Sequence, residues 1–420
     1  SYMGRANILL DPEKSENNKN EEKNKRIIVT ELYGGGTGRG FTNSQIINNP
    51  FYGLSTVTIN GGTFKMLPEN NTSEKNYVGI FGAGAGGTNG IGDDKNHTQD
   101  DRIPYWNDDN TVMLYGKYDT AKNKLISYRC YNADTKTYTY VDPLNTSTKI
   151  IINDGQFGES EKKQIDGIYG GGSGYMSRSL WSDTSGEPNT NGGNIYGLEG
   201  KTVATITING GDFYCKKGIF AGGRGTNYYF TENAYGGSQH QSSYTDLGKT
   251  YGNVELNING GMFHCSVFGG GYGVADAALN GDKSKVATLK NMARVYGKST
   301  VNINGGTFYK NIYGGGDMAV TEYYGKDAAT NVTIGDKADI RGSVFGGGNG
   351  RKYGAGFDNI DNETLLPDSV GKVIGNTNVT FVGDMQQAPT VYGDIYGGGN
   401  LARVEGNTDV NLYAANFAGQ

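Results

Sequence analysis

One motif recurs along this chain: an alternating strand, a glycine pair, one further residue and a phenylalanine. It reads TVTINGGTF over Thr56–Phe64, TITINGGDF over Thr205–Phe213, ELNINGGMF over Glu255–Phe263 and TVNINGGTF over Thr300–Phe308. Looser copies occupy Lys149–Phe157, Asn331–Ile340, Asn378–Asp384 and Asp409–Phe417. Such a repeat limits the possible folds more than any single residue does. A short unit that recurs must bury its apolar face against its own neighbours. In Val301-Asn302-Ile303 apolar and polar residues alternate, which is the period of a strand with one buried face. The glycine pair permits a sharp turn, and the following Phe returns to the core.

Two further motifs belong to the same unit. An apolar–aromatic pair followed by glycines reads LYGGG at Leu32–Gly36, IFGAG at Ile80–Gly84, IYGGG at Ile168–Gly172 and IFAGG at Ile219–Gly223. It returns as VFGGG at Val267–Gly271, IYGGG at Ile312–Gly316, VFGGG at Val344–Gly348 and IYGGG at Ile395–Gly399. A fainter Tyr-Gly segment precedes the first motif, as in Tyr52–Val57, Tyr251–Leu256 and Tyr296–Val301. None of these segments is long enough to be stable alone. Stacked on their counterparts in successive units they would form three parallel sheets around one narrow core, each coil adding about 4.8 Å. The expected fold is therefore all-β: a right-handed parallel β-helix, or β-solenoid, of about eight coils.

Spacing between units is uneven. Most of the excess follows the glycine-rich second motif, at Ser173–Gly193, Gly225–Gly248, Tyr272–Ala293 and Asn349–Ser369, so loop insertions are expected on one side of the rod. The largest insertion, residues 88–148, reads as an antiparallel meander with strands at Val112–Tyr118, Leu125–Tyr131 and Thr137–Val141. Residues 1–420 otherwise read as a single solenoid. The pattern begins and ends inside a unit, so a longer parent chain with end-to-end continuation into further repeats is expected.

Composition excludes several roles. Glycine accounts for 70 of the 420 residues, without the G-X-Y period of collagen. The formal net charge of -5 and the lack of a basic stripe argue against nucleic-acid binding. No apolar run is long enough to form a transmembrane segment. The glycine triplets recur in every unit and precede no phosphate-loop lysine, so no nucleotide cofactor is expected. His97, His240 and His264 form no zinc spacing with the 3 cysteines, and no metal is expected. Asp93-Asp94 and Asp108-Asp109 leave a loop calcium site open. Cys215 and Cys265 each follow a repeat Phe by two residues. They would be neighbours in a stacked solenoid, either bridged or, as the favoured reading, a ladder of buried thiols.

Carbohydrate-active β-helices need a carboxylate pair or a basic group in a groove on one sheet. The outward positions here are Thr58, Asn60 and Thr207, and only Asp384, Asp394 and Arg403 suggest such a group. The chain is thus expected not to be an enzyme. Tyr and Trp offer flat faces to sugars or protein partners, which makes Tyr105, Trp106, Tyr128, Tyr228 and Tyr229 the candidate ligand contacts.

The tandem strand–GG–x–F and [IV]-[FY]-G-G-G segments resemble the glycine-rich right-handed β-helices of bacterial surface and adhesin-type proteins, including those of gut Bacteroidota. The resemblance implies an extracellular or cell-surface rod that displays loops to host or microbial glycans or surface proteins. The alternatives are a polysaccharide lyase or glycoside hydrolase, and a fibre like a phage tail spike.

Overall fold

A computed structural model describes residues 2–11, 26–27, 31–35, 41–42, 45–46, 51–65, 79–84, 116–119, 124–132, 137–141, 146–174, 193–196, 200–225, 248–273, 292–335, 337–350, 371–383 and 387–418. Among them there is no helix; the fold is built of long stacks of short parallel strands, as in a parallel β-solenoid. The alternating halves of the first motif make a nine-stranded sheet from Tyr2–Leu10 through Phe51–Ile59 and Ser299–Ile303 to Thr408–Leu412. All its pairs are parallel, and most hold register without a break. Val57 faces Ile150, Ile150 faces Ile206, and the row continues through Leu256, Val301, Val332 and Val379. A second row joins Ile59, Ile152, Ile208, Ile258, Ile303, Ile334 and Phe381. These side chains are buried and form the spine of the core.

Four stacks are present where three were expected, because the glycine pair splits the first motif in two. The residues after it form a second nine-stranded sheet, including Thr63–Phe64, Gln156–Phe157, Asp212–Phe213 and Met262–Phe263. Both glycines are required by geometry. A Cβ on the first, at Gly210, Gly260 or Gly305, would lie 2.8–2.9 Å from an Asn carbonyl oxygen of the preceding coil. The second is left-handed, with φ of +115° at Gly211 and +102° at Gly306. Phe64, Phe157, Phe213, Phe263 and Phe308 then stack inside the core with centroids 4.6–4.9 Å apart.

The apolar–aromatic motif forms an eight-stranded third sheet, and the Tyr-Gly segment a six-stranded fourth. Successive residues of a strand point to opposite faces. Ile168, Ile219, Val267 and Ile312 therefore enter the main core, while Tyr169, Phe220, Phe268 and Tyr313 build a separate aromatic cluster on the other face. That cluster is one continuous stack from Tyr33 through Phe81 to Phe345 and Tyr396, with centroids 4.6–5.3 Å apart.

Two polar ladders complete the scaffold. Buried hydroxyls of Ser55, Thr148, Ser299, Thr330 and Thr377 donate to the carbonyls of Gly82, Gly170, Gly314, Gly346 and Gly397 at 2.5–2.9 Å. Each gives a core carbonyl a partner that it would otherwise lack. At the corner after the first sheet, Asn60 donates to Asp11, Asn153 to Asn60, Asn209 to Asn153, Asn259 to Asn209 and Asn304 to Asn259, at 2.7–3.0 Å.

Candidate functional site

The insertions share one point of departure. After the glycine triplets, Ser173, Arg224 and Tyr272 bridge one another in adjacent coils, as do Asp317, Asn349 and Asn400. Ser173 N–H also donates to the Gly84 carbonyl at 3.0 Å. Residues 85–145, 175–192, 226–247, 274–291 and 351–370 all follow this column. Four of them lead back into the fourth sheet at Ile195, Thr250, Val295 and Val373, which themselves form one row with Thr321. The fifth, 85–145, leads into the first sheet at Ser147–Ile152. Two coils have no insertion: Asp317 reaches Thr321 directly, and Asn400 reaches Val404, with both ends of each in their rows.

Of the candidate aromatics, Tyr105, Trp106, Tyr228 and Tyr229 lie outside the described residues, as do Asp93-Asp94 and Asp108-Asp109. Tyr128 lies in the strand Lys124–Asn132, paired antiparallel with Thr137–Val141 and Gly116–Asp119 and opposite Val141 and Gly116. By chain position, Tyr105, Trp106 and Tyr128 fall in the segment that follows Gly84, and Tyr228 and Tyr229 in the one that follows Gly225. Asp394 accepts from the Tyr396 hydroxyl at 3.0 Å, and Arg403 lies 3.9 Å from Glu405. The two therefore join separate pairs; Asp384 lies outside the described residues. Cys215 and Cys265 are buried free thiols, and burial followed by contact with Cys265 pushes the Cys215 thiol well above its ordinary range.

A charged cluster that the repeat pattern does not announce lies against the aromatic stack of the third sheet. Asp166 is fully buried and accepts from Arg224 Nη1 at 2.7 Å and from the Tyr169 hydroxyl at 3.0 Å, with Lys217 Nζ 3.1 Å away. Arg224 also donates to Ser173 Oγ through Nε and Nη2, and its guanidinium lies 4.7 Å from the Phe81 ring centroid. Burial raises the Asp166 carboxyl, but the charges of Arg224 and Lys217 outweigh it and hold the group below its ordinary value. Burial pushes the Tyr169 phenol well above its ordinary value, so it remains a proton donor to Asp166. With three donors converging on it, this carboxylate is engaged in holding two adjacent coils together. Its sequence signal is faint: Asp166 interrupts an apolar strand, and Arg224 follows a glycine pair where other coils carry Thr, Ala, Ser, Tyr, Asp or Asn.

No family model, curated protein or solved structure matches this chain.

A second surface lies on the second sheet. Tyr214, His264 and Tyr309 stack face to face with centroids 4.0 and 4.5 Å apart, and the Arg341 guanidinium sits between Tyr309 and Tyr392, 5.2 and 5.8 Å from their centroids. Met262 is 45% exposed, Tyr309 38% and Tyr392 41%. Among the described residues, no three His, Cys, Asp or Glu side chains are grouped to hold a metal ion. No helix there is long and apolar enough to cross a membrane.

Proposed function

We propose that this chain is an extracellular or cell-surface rod, a right-handed parallel β-helix of about eight coils, that presents inserted segments for binding glycans or proteins. The observation that carries the reading is the common departure column. Five insertions of different length leave the scaffold from one row of residues, while the coil Asp317–Thr321 needs none. Placing binding residues on segments held by a rigid frame is a general way to separate recognition from folding. The segments concerned include Tyr105, Trp106, Tyr128, Tyr228 and Tyr229.

A glycan array tests this, with reducing-end release measured on the same polysaccharides and an extracellular protein array run in parallel. Binding without release, lost when 226–247 or 85–145 is replaced by a short link of the Asp317–Thr321 type, is the expected result. Release of reducing ends would replace the reading with a carbohydrate-active one. Binding unchanged by both replacements would remove the displayed segments from the function.

A further inference from the structure

The exposed stripe on the second sheet is separate from the departure column. It runs through Tyr214, His264, Tyr309, Arg341 and Tyr392, one residue per coil, with Met262 beside it. Charged groups in the stripe have close polar neighbours. Arg341 donates twice to Asp339 Oδ2, at 3.3 and 3.1 Å; His264 Nε2 lies 3.2 Å from Asp212 Oδ1; and Lys310 lies 3.7 Å from Glu161. The tyrosine and methionine side chains of the stripe carry no charge. The hydroxyls of Tyr214, Tyr309 and Tyr392 make no hydrogen bond among the described residues, and Met262 adds apolar surface.

We propose that this stripe binds a linear, uncharged polysaccharide lying along the solenoid axis. Three features point to that class. The first is period: Tyr214, Tyr309 and Tyr392 recur on every second coil, about 9.6 Å apart, close to the length of two sugars in an extended chain, so a polymer of identical units meets the same hydroxyl at every second sugar. The second is charge: Arg341 and Lys310 already have Asp339 and Glu161 as partners, so a charged ligand would compete with pairs in place, whereas an uncharged one leaves them intact. The third is chemistry. Because the rings stack on one another, their faces are engaged and their hydroxyl-bearing edges remain. Phenol hydroxyls both donate and accept, which suits a ligand covered in hydroxyls. Rigid stacking also means that little side-chain entropy is lost on binding. This inference is independent of the displayed segments.

Affinity electrophoresis of the full chain through gels containing xylan, mannan, mixed-linkage glucan or amylose tests it, with alginate and polygalacturonate as charged comparisons. Retardation by at least one neutral polymer is expected, insensitive to added salt. The triple variant Tyr214→Phe, Tyr309→Phe and Tyr392→Phe keeps every ring in the stack and removes only the hydroxyls. It should bind that polymer about tenfold more weakly or worse, with an unchanged melting curve. The variant lacking 226–247 should bind as the parent does. Retention by none of the neutral polymers overturns the proposal, as does retention only by the charged ones or retention that the triple variant keeps. If a protein partner is lost in the triple variant while no neutral polysaccharide binds, the stripe is a protein interface instead.

Discussion

At the scale of single residues, stability rests on rows rather than on isolated contacts. Ile303 is fully buried between Ile258 and Ile334. Ile303→Asp would place a carboxylate among apolar neighbours on both sides, with no partner to offset its desolvation. A loss of several kcal/mol is expected, read as a lower urea midpoint with circular dichroism as the probe. Asp166 gives a pH-dependent counterpart. Its carboxyl is held below its unfolded value of about 3.9, so its contribution is complete above that value and is lost as pH falls through the lower, folded value. Asp166→Asn removes the anion that faces the buried Arg224 and the half-buried Lys217, which should cost about 3–5 kcal/mol at pH 7. Urea midpoints of parent and variant should draw together as pH falls below about 3.9. A gap that widens as pH falls through the acid range would mean that Asp166 is not the ionised centre of the cluster.

At the scale of elements, the strand–GG–x–F motif made the parallel stacks legible before any coordinates, because period-two alternation and a repeated glycine corner leave few other arrangements. The same motif misled on the number of sheets. Val301 to Phe308 reads as one segment, yet left-handed Gly306 bends it into strands of two different sheets. The aromatic of the second motif also escaped a pattern reading. Ile168 and Tyr169 are both apolar neighbours in sequence, and only the pleat sends one into the main core and the other into the outer stack. Of the candidate sites, the exposed stripe was partly visible, since Tyr214, His264 and Tyr309 each follow a repeat Phe directly. Arg341 and Tyr392 follow Ile340 and Val391 in the degenerate copies, where the motif no longer marks the place. Asp166, Lys217 and Arg224 come together through stacking of coils about fifty residues apart, a distance that no local pattern spans. The glycine triplets yield a prediction of their own. A Cβ at Gly346 would sit 2.3 Å from the Gly397 carbonyl oxygen of the next coil. Gly346→Ala should therefore cost about 1–3 kcal/mol through overpacking, measurable as a lower urea midpoint, although alanine has the higher strand propensity.

At the scale of the whole molecule, each coil interacts mainly with the coils above and below it, so stability is close to a sum over neighbours. Replacing 226–247 by a short link should leave the thermal unfolding transition within a few degrees of the parent, since Gly225 and Lys249 are already anchored to flanking coils; Gly225 N–H donates to the Tyr272 carbonyl and Lys249 N–H to Asn194 Oδ1, both at 2.8 Å. A large drop measured by calorimetry would make that segment part of the scaffold. Loop closure adds little penalty for length, about 0.6 kcal/mol per doubling, in keeping with insertions of such different size.

The shared departure column has a consequence for heredity. Where a segment leaves and rejoins the frame at fixed rows, codons can be gained, lost or exchanged within it without shifting the reading of any coil. Variation in a population carrying this gene should then collect in five windows, 85–145, 175–192, 226–247, 274–291 and 351–370, separated by nearly invariant stretches. Selection imposed by whatever the rod meets would act on those windows almost independently of selection for folding.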